Sequence, residues 1–152
     1  MNTTIQLNSK QTEAFRAMCN GDNVFITGGG GVGKSTLIRH FVKLNNKRKK
    51  IGITSTTGIS AVLIGGSTIH SYLKIGLGTK SQSRLIDEIM KKQFMKDKWT
   101  KTDILIIDEV SMMSPDLFDK IDNIARFVRG DERPFGGMQV ILSGDFCQLP
   151  CV

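Results

Sequence analysis

Short apolar runs alternate with stretches of helical periodicity along this sequence. The runs Val24–Thr27, Ile51–Thr54, Ile104–Ile107 and Gln139–Ser143 have the length and the residue types that predict strands. The third run is apolar at every position, which is typical of a strand covered on both faces of a parallel sheet. The pattern therefore predicts strands that lie inside a layered α/β structure.

The segments between these runs carry apolar residues at helical spacing. The clearest apolar faces consist of Leu37, Ile38, Phe41 and Val42 and of Leu117, Phe118, Ile121, Ile124, Ala125 and Val128. Ser114 and Pro115 supply an N-cap and a first-turn proline for the second of these helices. Strands that alternate with helices predict one doubly wound α/β domain over residues 1–152, with a mostly parallel sheet and its site at the carboxyl ends of the strands.

Composition and charge narrow the class of protein. Hydrophobic residues make up 39% and charged residues 23%, a globular balance, and the net charge of +7 favours an anionic partner such as nucleic acid. The cysteines Cys19, Cys147 and Cys151 form no C-x-x-C pair, which argues against a disulfide framework or a zinc site. No run approaches ~18 apolar residues, and Met1–Leu7 lacks the basic and apolar pattern of a signal peptide. We expect an intracellular protein without a membrane span; nucleus, mitochondrion, bacterial cytoplasm and viral factory are equally compatible.

A glycine-rich motif follows the first predicted strand. Residues 28–35 match G-x-x-x-x-G-K-[ST] directly before a predicted helix, the context in which backbone N–H groups wrap a phosphate chain. Lys34 is expected to reach the β- and γ-phosphates, and the Ser35 hydroxyl is expected to bind Mg²⁺. The predicted residues of this ATP site are Gly28, Gly29, Gly30, Gly31, Val32, Gly33, Lys34, Ser35 and Thr36.

An acidic pair ends the strand predicted over Ile104–Ile107. Asp108 is positioned to hold Mg²⁺, and Glu109 to orient or deprotonate an attacking water. Such pairs also occur as ordinary caps, but a buried strand that ends in Asp-Glu downstream of a phosphate-binding loop favours nucleotide hydrolysis. A guanine-nucleotide switch would need N-K-x-D, whereas Asn46-Lys47 is followed by Arg48-Lys49. The run Lys47–Lys50 is either a phosphate patch or a solvated turn.

Five sequence blocks in order resemble the Pif-type DNA helicases of superfamily one. Leu7–Gln11 resembles the Q motif, Gly28–Thr36 motif I, Thr54–Gly76 motif Ia with its extension, Asp108–Met112 motif II and Gly137–Pro150 motif III. The resemblance implies a RecA-like fold and an ATP- and Mg²⁺-dependent motor with five-prime to three-prime polarity. It also implies single-stranded DNA and duplex junctions as partners, a monomer, and roles among repair, recombination and telomere maintenance.

The resemblance assigns further residues. Gln11 would read the adenine edge, although Asn8 and Gln11 also form the pattern of a capping box for a helix through about Met18. Gln148 would sense the γ-phosphate and couple it to DNA. The predicted DNA contacts are Thr56, Thr57, Gly58, Ser60, Thr68, His70, Ser71 and Tyr72. The rings of His70 and Tyr72 could stack on bases, or this segment could be a capped turn with a small core.

Two departures from the family pattern stand out. Cys151 and Tyr72 lie where proline and phenylalanine are usual. A helicase of this type also needs a second RecA-like domain that supplies an arginine to the transferring phosphoryl group. Two alternatives remain open at this point: a nucleotide-dependent binding module without unwinding activity, and another P-loop ATPase that acts on RNA or protein.

Overall fold

The strands of the computed structural model, which describes residues 7–27 and 32–145, form one parallel sheet. They are β1 (Val24–Thr27), β2 (Ile51–Ser55), β3 (Ser67–Thr68), β4 (Ile104–Asp108) and β5 (Gln139–Gly144), in the spatial order β1-β5-β4-β2-β3. The four predicted strands are confirmed, three of them one residue longer than predicted. The two-residue strand β3 was not predicted.

Helices cover both faces of the sheet. They are α1 (Ser9–Cys19), α2 (Val32–Asn45), α3 (Gly58–Leu63), α4 (Ile69–Leu73), α5 (Gln82–Lys91), α6 (Gln93–Lys101) and α7 (Pro115–Arg129), with 3₁₀ turns at Val110–Met112 and Pro134–Gly137. The three predicted helices correspond to α1, α2 and α7. Within the described ranges, every helix is too short or too polar to cross a lipid bilayer.

Strand β4 separates two hydrophobic clusters. Its residues Ile104 and Ile106 face the cluster built from α1 and α2, while Leu105 and Ile107 face the larger cluster of α4 to α7. All four side chains are buried, as the uniformly apolar run predicts. Burial of a side chain of this size contributes about 1.5–3 kcal/mol, so the central strand anchors both layers.

Local signals at the helix ends behave as the sequence predicts. The Asn8 carboxamide accepts the Gln11 N–H at 2.8 Å, and Gln11 Oε1 accepts the Asn8 N–H at 3.0 Å, which forms the complete capping box of α1. Ser114 Oγ accepts the Leu117 N–H at 3.1 Å at the start of α7. These bonds satisfy N–H groups that the helices leave without an internal partner.

Helices α4 and α6 are fixed to each other by side-chain bonds. The indole Nε1 of the buried Trp99 donates to the Leu73 carbonyl at 3.0 Å, and the Tyr72 and Thr102 hydroxyls are 2.7 Å apart. The Arg129 guanidinium donates to the carbonyls of Trp99, Thr100 and Thr102 at the end of α6. These bonds therefore fix the position of α4 relative to α6.

Candidate functional site

The strand register brings the polar strand ends to one edge of the sheet. Thr27 lies opposite Gly144, and Ser55 lies opposite Asp108, so the ends of β1, β5, β4 and β2 are level. In a parallel sheet this edge is where ligands bind, because the loops that leave the strands converge there. The sequence-predicted residues that follow β1, β2 and β4 are thus on one side of the molecule.

The start of α2 carries the described part of the phosphate-binding motif. Gly33, Lys34, Ser35 and Thr36 lie in the first turn of the helix, and the last three side chains are partly buried. First-turn N–H groups and the helix dipole favour an anion at this position. The predicted residues Gly28 to Gly31, the Val32 side chain and Gln148 lie outside the described residues.

Gln11 lies against the start of α2. A Cβ atom built on Gly33 would be 2.7 Å from Gln11 Nε2, a distance that only glycine permits without a shift of the glutamine. Gln11 Oε1 meanwhile accepts the Asn8 N–H in the capping box. The predicted capping box of Gln11 is confirmed, and its amide nitrogen lies beside Gly33 of the nucleotide motif, while its contact with adenine stays a prediction.

Asp108 is held in place by the neighbouring strand. The buried Ser143 hydroxyl donates to Asp108 Oδ1 at 2.6 Å. A hydroxyl bond to a carboxylate is short and charge-assisted, and it fixes the orientation of the acid at the sheet edge. Ser143 was not singled out from the sequence, because its contact depends on the pairing of β4 with β5.

Glu109 has a left-handed backbone, with φ 57° and ψ 38°. This conformation is unfavourable for a residue with a side chain, and it persists where surrounding contacts enforce it. Thr56 supplies such contacts, because its hydroxyl donates to the Glu109 carbonyl at 2.9 Å and its N–H donates to the Asp108 carbonyl at 3.3 Å. Thr56, predicted as a DNA contact, thus bonds to the acidic pair.

Two further hydroxyls join β2 to β4. Thr54 Oγ1 donates to the Ile106 carbonyl at 2.6 Å, and Ser55 Oγ donates to the Asp108 carbonyl at 3.3 Å. Both residues are fully buried. With Thr56, three consecutive residues at the end of β2 thus donate hydroxyl hydrogen bonds to backbone carbonyls at the end of β4 and in the acidic pair.

Most of the predicted DNA contacts lie beyond the ends of β2 and β3. Thr57 caps α3 by accepting the Ser60 N–H at 3.3 Å, and Thr68 caps α4 by accepting the Ser71 N–H at 3.2 Å. Gly58 and Ser71 are exposed, and Ser60 and His70 are partly buried. The segment therefore contains the capped turns that one alternative predicts, and its DNA contacts stay a prediction.

Tyr72 differs from this group. Its hydroxyl bonds to Thr102, its ring lies against Gly52, and the Lys98 ammonium is 4.5 Å from the ring centroid. Burial raises the pKa of this phenol, and the hydrogen bond with Thr102 offsets part of the increase. The structure therefore shows the packing alternative for Tyr72, whose ring is turned toward β2, and base stacking by this ring stays a prediction.

The oxygen ligands available at this edge could bind a magnesium ion only together with phosphate oxygens. The described residues contain no cluster of three or more His, Cys, Asp or Glu side chains that could hold a metal ion unaided. Mg²⁺ commonly uses one or two protein oxygens, several waters and the oxygens of a nucleotide. One carboxylate from Asp108 and one hydroxyl from Ser35 fit that mode of binding.

Comparison with known proteins gives one family. The PIF1-like helicase family model matches residues 6–152. The chain is 51% identical over 157 residues to the uncharacterized protein 030L of Invertebrate iridescent virus 6, a match that covers 100% of the chain and 30% of that protein. It is 46% identical over 137 residues to the ATP-dependent DNA helicase PIF1 of Emericella nidulans, with 87% of the chain and 18% of the helicase covered.

Solved structures agree. The Pif1 helicase from Candida albicans superposes with a TM-score of 0.90 at 40% identity, covering 98% of this chain and 34% of the helicase. A Pif1 helicase from Bacteroides in complex with ADP-AlF3 and ssDNA gives 0.79 at 32% identity, with 98% and 34% covered. The chain spans about a third or less of the length of these relatives. From the family match over nearly its whole length, the chain belongs to the PIF1-like helicases.

Proposed function

We propose that this chain is the ATP-binding first motor domain of a DNA helicase that moves five-prime to three-prime on single-stranded DNA. The observation that carries the proposal is the convergence of the Lys34 helix start, the Asp108–Glu109 pair and the segment after β2 at one sheet edge. The names of the relatives, which include ATP-dependent DNA helicases, support the same activity.

Each residue at the edge has a chemical task in nucleotide hydrolysis. The glycines at 28–31 and the first turn of α2 wrap the phosphates, Lys34 offsets their charge, and the Gln11 amide contacts the adenine. A bound Mg²⁺, held by Ser35 and Asp108, would neutralise charge on the phosphate oxygens. Glu109 accepts a proton from the attacking water, and Gln148 reports the state of the γ-phosphate.

DNA binding is assigned to the surface that follows β2 and β3. Hydroxyl and backbone groups of Thr57, Gly58, Ser60 and Ser71 contact backbone phosphates, and the His70 ring contacts a base. Duplex junctions are the substrates of the complete enzyme, which acts as a monomer. A second RecA-like domain completes the ATP site with an arginine, so hydrolysis by this chain alone is slow.

Calorimetric titration with a non-hydrolysable ATP analogue tests the nucleotide site. We expect magnesium-dependent binding, which Lys34→Ala weakens by at least ~100-fold, because a charge-assisted contact to phosphate contributes about 3 kcal/mol. Lys43→Ala is the matched control, since Lys43 is exposed in the last turn of the same helix. A folded protein that takes up no nucleotide in the presence of magnesium would refute the proposal.

A further inference from the structure

A surface groove lies between α4 and the start of α6. Its volume is about 530 Å³, and its lining consists of Thr68, His70, Ser71, Lys74, Gly76, Phe94 and Met95. One wall contains residues already proposed to contact DNA. The opposite wall comes from α6, a helix to which the sequence patterns assigned no function.

The surroundings of this groove are strongly basic. Residues 91–101 contain five lysines and one acidic residue, Asp97, which is paired with Lys101 at 3.3 Å. Lys91 and Lys92 are exposed just before α6, and Lys74 is exposed at the end of α4. A groove with this charge favours a polyanion over a neutral or basic peptide.

Phe94 gives the groove an aromatic surface. Its side chain is 60% exposed in the first turn of α6, whereas Met95 and Trp99 of the same helix are buried in the core. In this groove the exposed ring lies with one lysine, Lys74, and single-stranded nucleic acids stack their bases on rings in such positively charged grooves. In a duplex the base faces are covered by their neighbours, so the ring favours a single strand.

The two walls are held at a fixed separation. Trp99 bonds to the Leu73 carbonyl, Tyr72 bonds to Thr102, and Lys98 lies over the Tyr72 ring. These contacts account for the buried residues between the helices but use neither Phe94 nor Lys74. A groove that is already formed binds its ligand without the free-energy cost of ordering its walls.

We propose that the groove between α4 and α6 binds a segment of single-stranded DNA, with a base stacked on Phe94 and a flanking phosphate at Lys74. The inference rests on the proposed function for its choice of nucleic acid, and it extends the strand contact from the loops after β2 and β3 onto α6. Phe94 and Lys74 would thereby add affinity without contacting the nucleotide.

Fluorescence anisotropy of a labelled oligothymidylate, titrated with the whole 152-residue chain, tests the groove. We expect Phe94→Ala to weaken binding by about 5- to 100-fold, the usual effect of removing one stacking ring. Phe94→Leu should weaken binding similarly, and Phe94→Tyr should restore it. Phe127→Ala is the matched control, because Phe127 is 61% exposed on α7 and lies outside the groove.

Varying the salt concentration tests the phosphate contact at Lys74, and removing the bases of the oligonucleotide tests the stacking on Phe94. Lys74→Ala should reduce the slope of log affinity against log salt by about 0.7, the value for one phosphate contact on a single strand. An oligonucleotide that lacks its bases should bind wild type and Phe94→Ala equally. The emission of Trp99, which is the single tryptophan and bonds to the residue before Lys74, should change on binding.

The outcomes distinguish this inference from the proposed function. If wild type binds the strand and Phe94→Ala behaves as Phe127→Ala does, the groove assignment is wrong and the DNA-binding function stands. If wild type takes up Mg-ATP analogue but binds no single strand at low salt, both the groove and the DNA-binding function are wrong. Equal affinity for blunt duplex, independent of Phe94, would also overturn the groove. The same dependence on Phe94 with a ribo-oligonucleotide would support a single-strand site that does not select the sugar.

Discussion

The Thr56 hydroxyl donates a hydrogen bond to the Glu109 carbonyl at 2.9 Å, and Glu109 is the residue with the left-handed backbone at the end of β4. The bond joins the first residue after β2 to the proposed proton acceptor. It contributes about 1 kcal/mol, which is comparable to the cost of the left-handed conformation. Thr56 is thus a positioning residue for Glu109, and the segment that it begins also carries the proposed DNA contacts.

Replacement of Thr56 by valine should slow hydrolysis without weakening nucleotide binding. Valine keeps the shape of threonine but cannot donate, so the Glu109 carbonyl keeps only the Met112 N–H, at 3.0 Å, as a donor. We expect the single-turnover rate constant to fall about 5- to 10-fold, which corresponds to the loss of one hydrogen bond. The dissociation constant of an ATP analogue should stay within about twofold. Thr56→Ser should retain the wild-type rate; a valine variant with wild-type rate but weaker binding would contradict the positioning role.

Glycine at position 109 should be more stabilising than alanine there. Both substitutions remove the carboxylate, but only glycine adopts φ 57° without a steric cost. We expect the free energy of unfolding, measured in urea, to be about 1 kcal/mol higher for Glu109→Gly than for Glu109→Ala. The reverse order is expected at Arg39, which is exposed within α2, because glycine destabilises a helix interior. Equal stability of the two variants at 109 would show that the backbone there is unstrained in solution.

The single tyrosine should titrate above its ordinary value. Burial raises the pKa of Tyr72 above 10.0 despite the hydrogen bond with Thr102. The folded state thus holds this proton more tightly than the unfolded state does, so the stability from Tyr72 is present below pH 10 and is lost as the pH rises through its folded pKa. Ultraviolet absorbance of the phenolate should show the raised pKa in buffer and the ordinary one in urea.

Two variants control the tyrosine titration. Thr102→Val removes the bond that lowers the pKa of Tyr72, so the native titration should move still higher. Tyr72→Phe should lose less stability than wild type between neutral pH and pH values above 10. A native phenol that titrates at 10 or below would show that its ring is open to solvent.

The sequence was sufficient where the signal is local. The strand that ends at Thr27 and the helix that carries Lys34 follow from the residues around a contiguous motif, and Asn8 with Gln11 was enough to predict a capping box. The α/β fold with a mostly parallel sheet followed from alternating strand and helix patterns, and the RecA-like assignment followed from the family resemblance. These features depend on neighbours within a few residues.

The features that the sequence did not reveal depend on distant partners. Helix α6 buries only Met95 and Trp99 among three lysines, so its periodicity is weak, and it is anchored through the Leu73 carbonyl. Helix α5 is an exception, because Leu85 and Ile89 lie on a clear apolar face that was not used for a prediction. The left-handed backbone of Glu109 is not a property of glutamate, and its contact with Thr56 joins residues that are 53 positions apart. The Ser143 contact needs the register of β4 with β5. The packing of Tyr72 could not be predicted for the same reason, since its partner Gly52 lies in another element.

The absence of a side chain at Gly52 allows α4 to pack closely against β2. A Cβ atom at position 52 would lie 2.6 Å from the Tyr72 ring, so the smallest residue in β2 decides how closely α4 can approach the sheet. A substitution that enlarged position 52 would require a smaller ring at 72 or an outward shift of α4. Because α4 also provides a wall of the groove, a larger side chain at this buried strand position should also change the width of the groove at the surface.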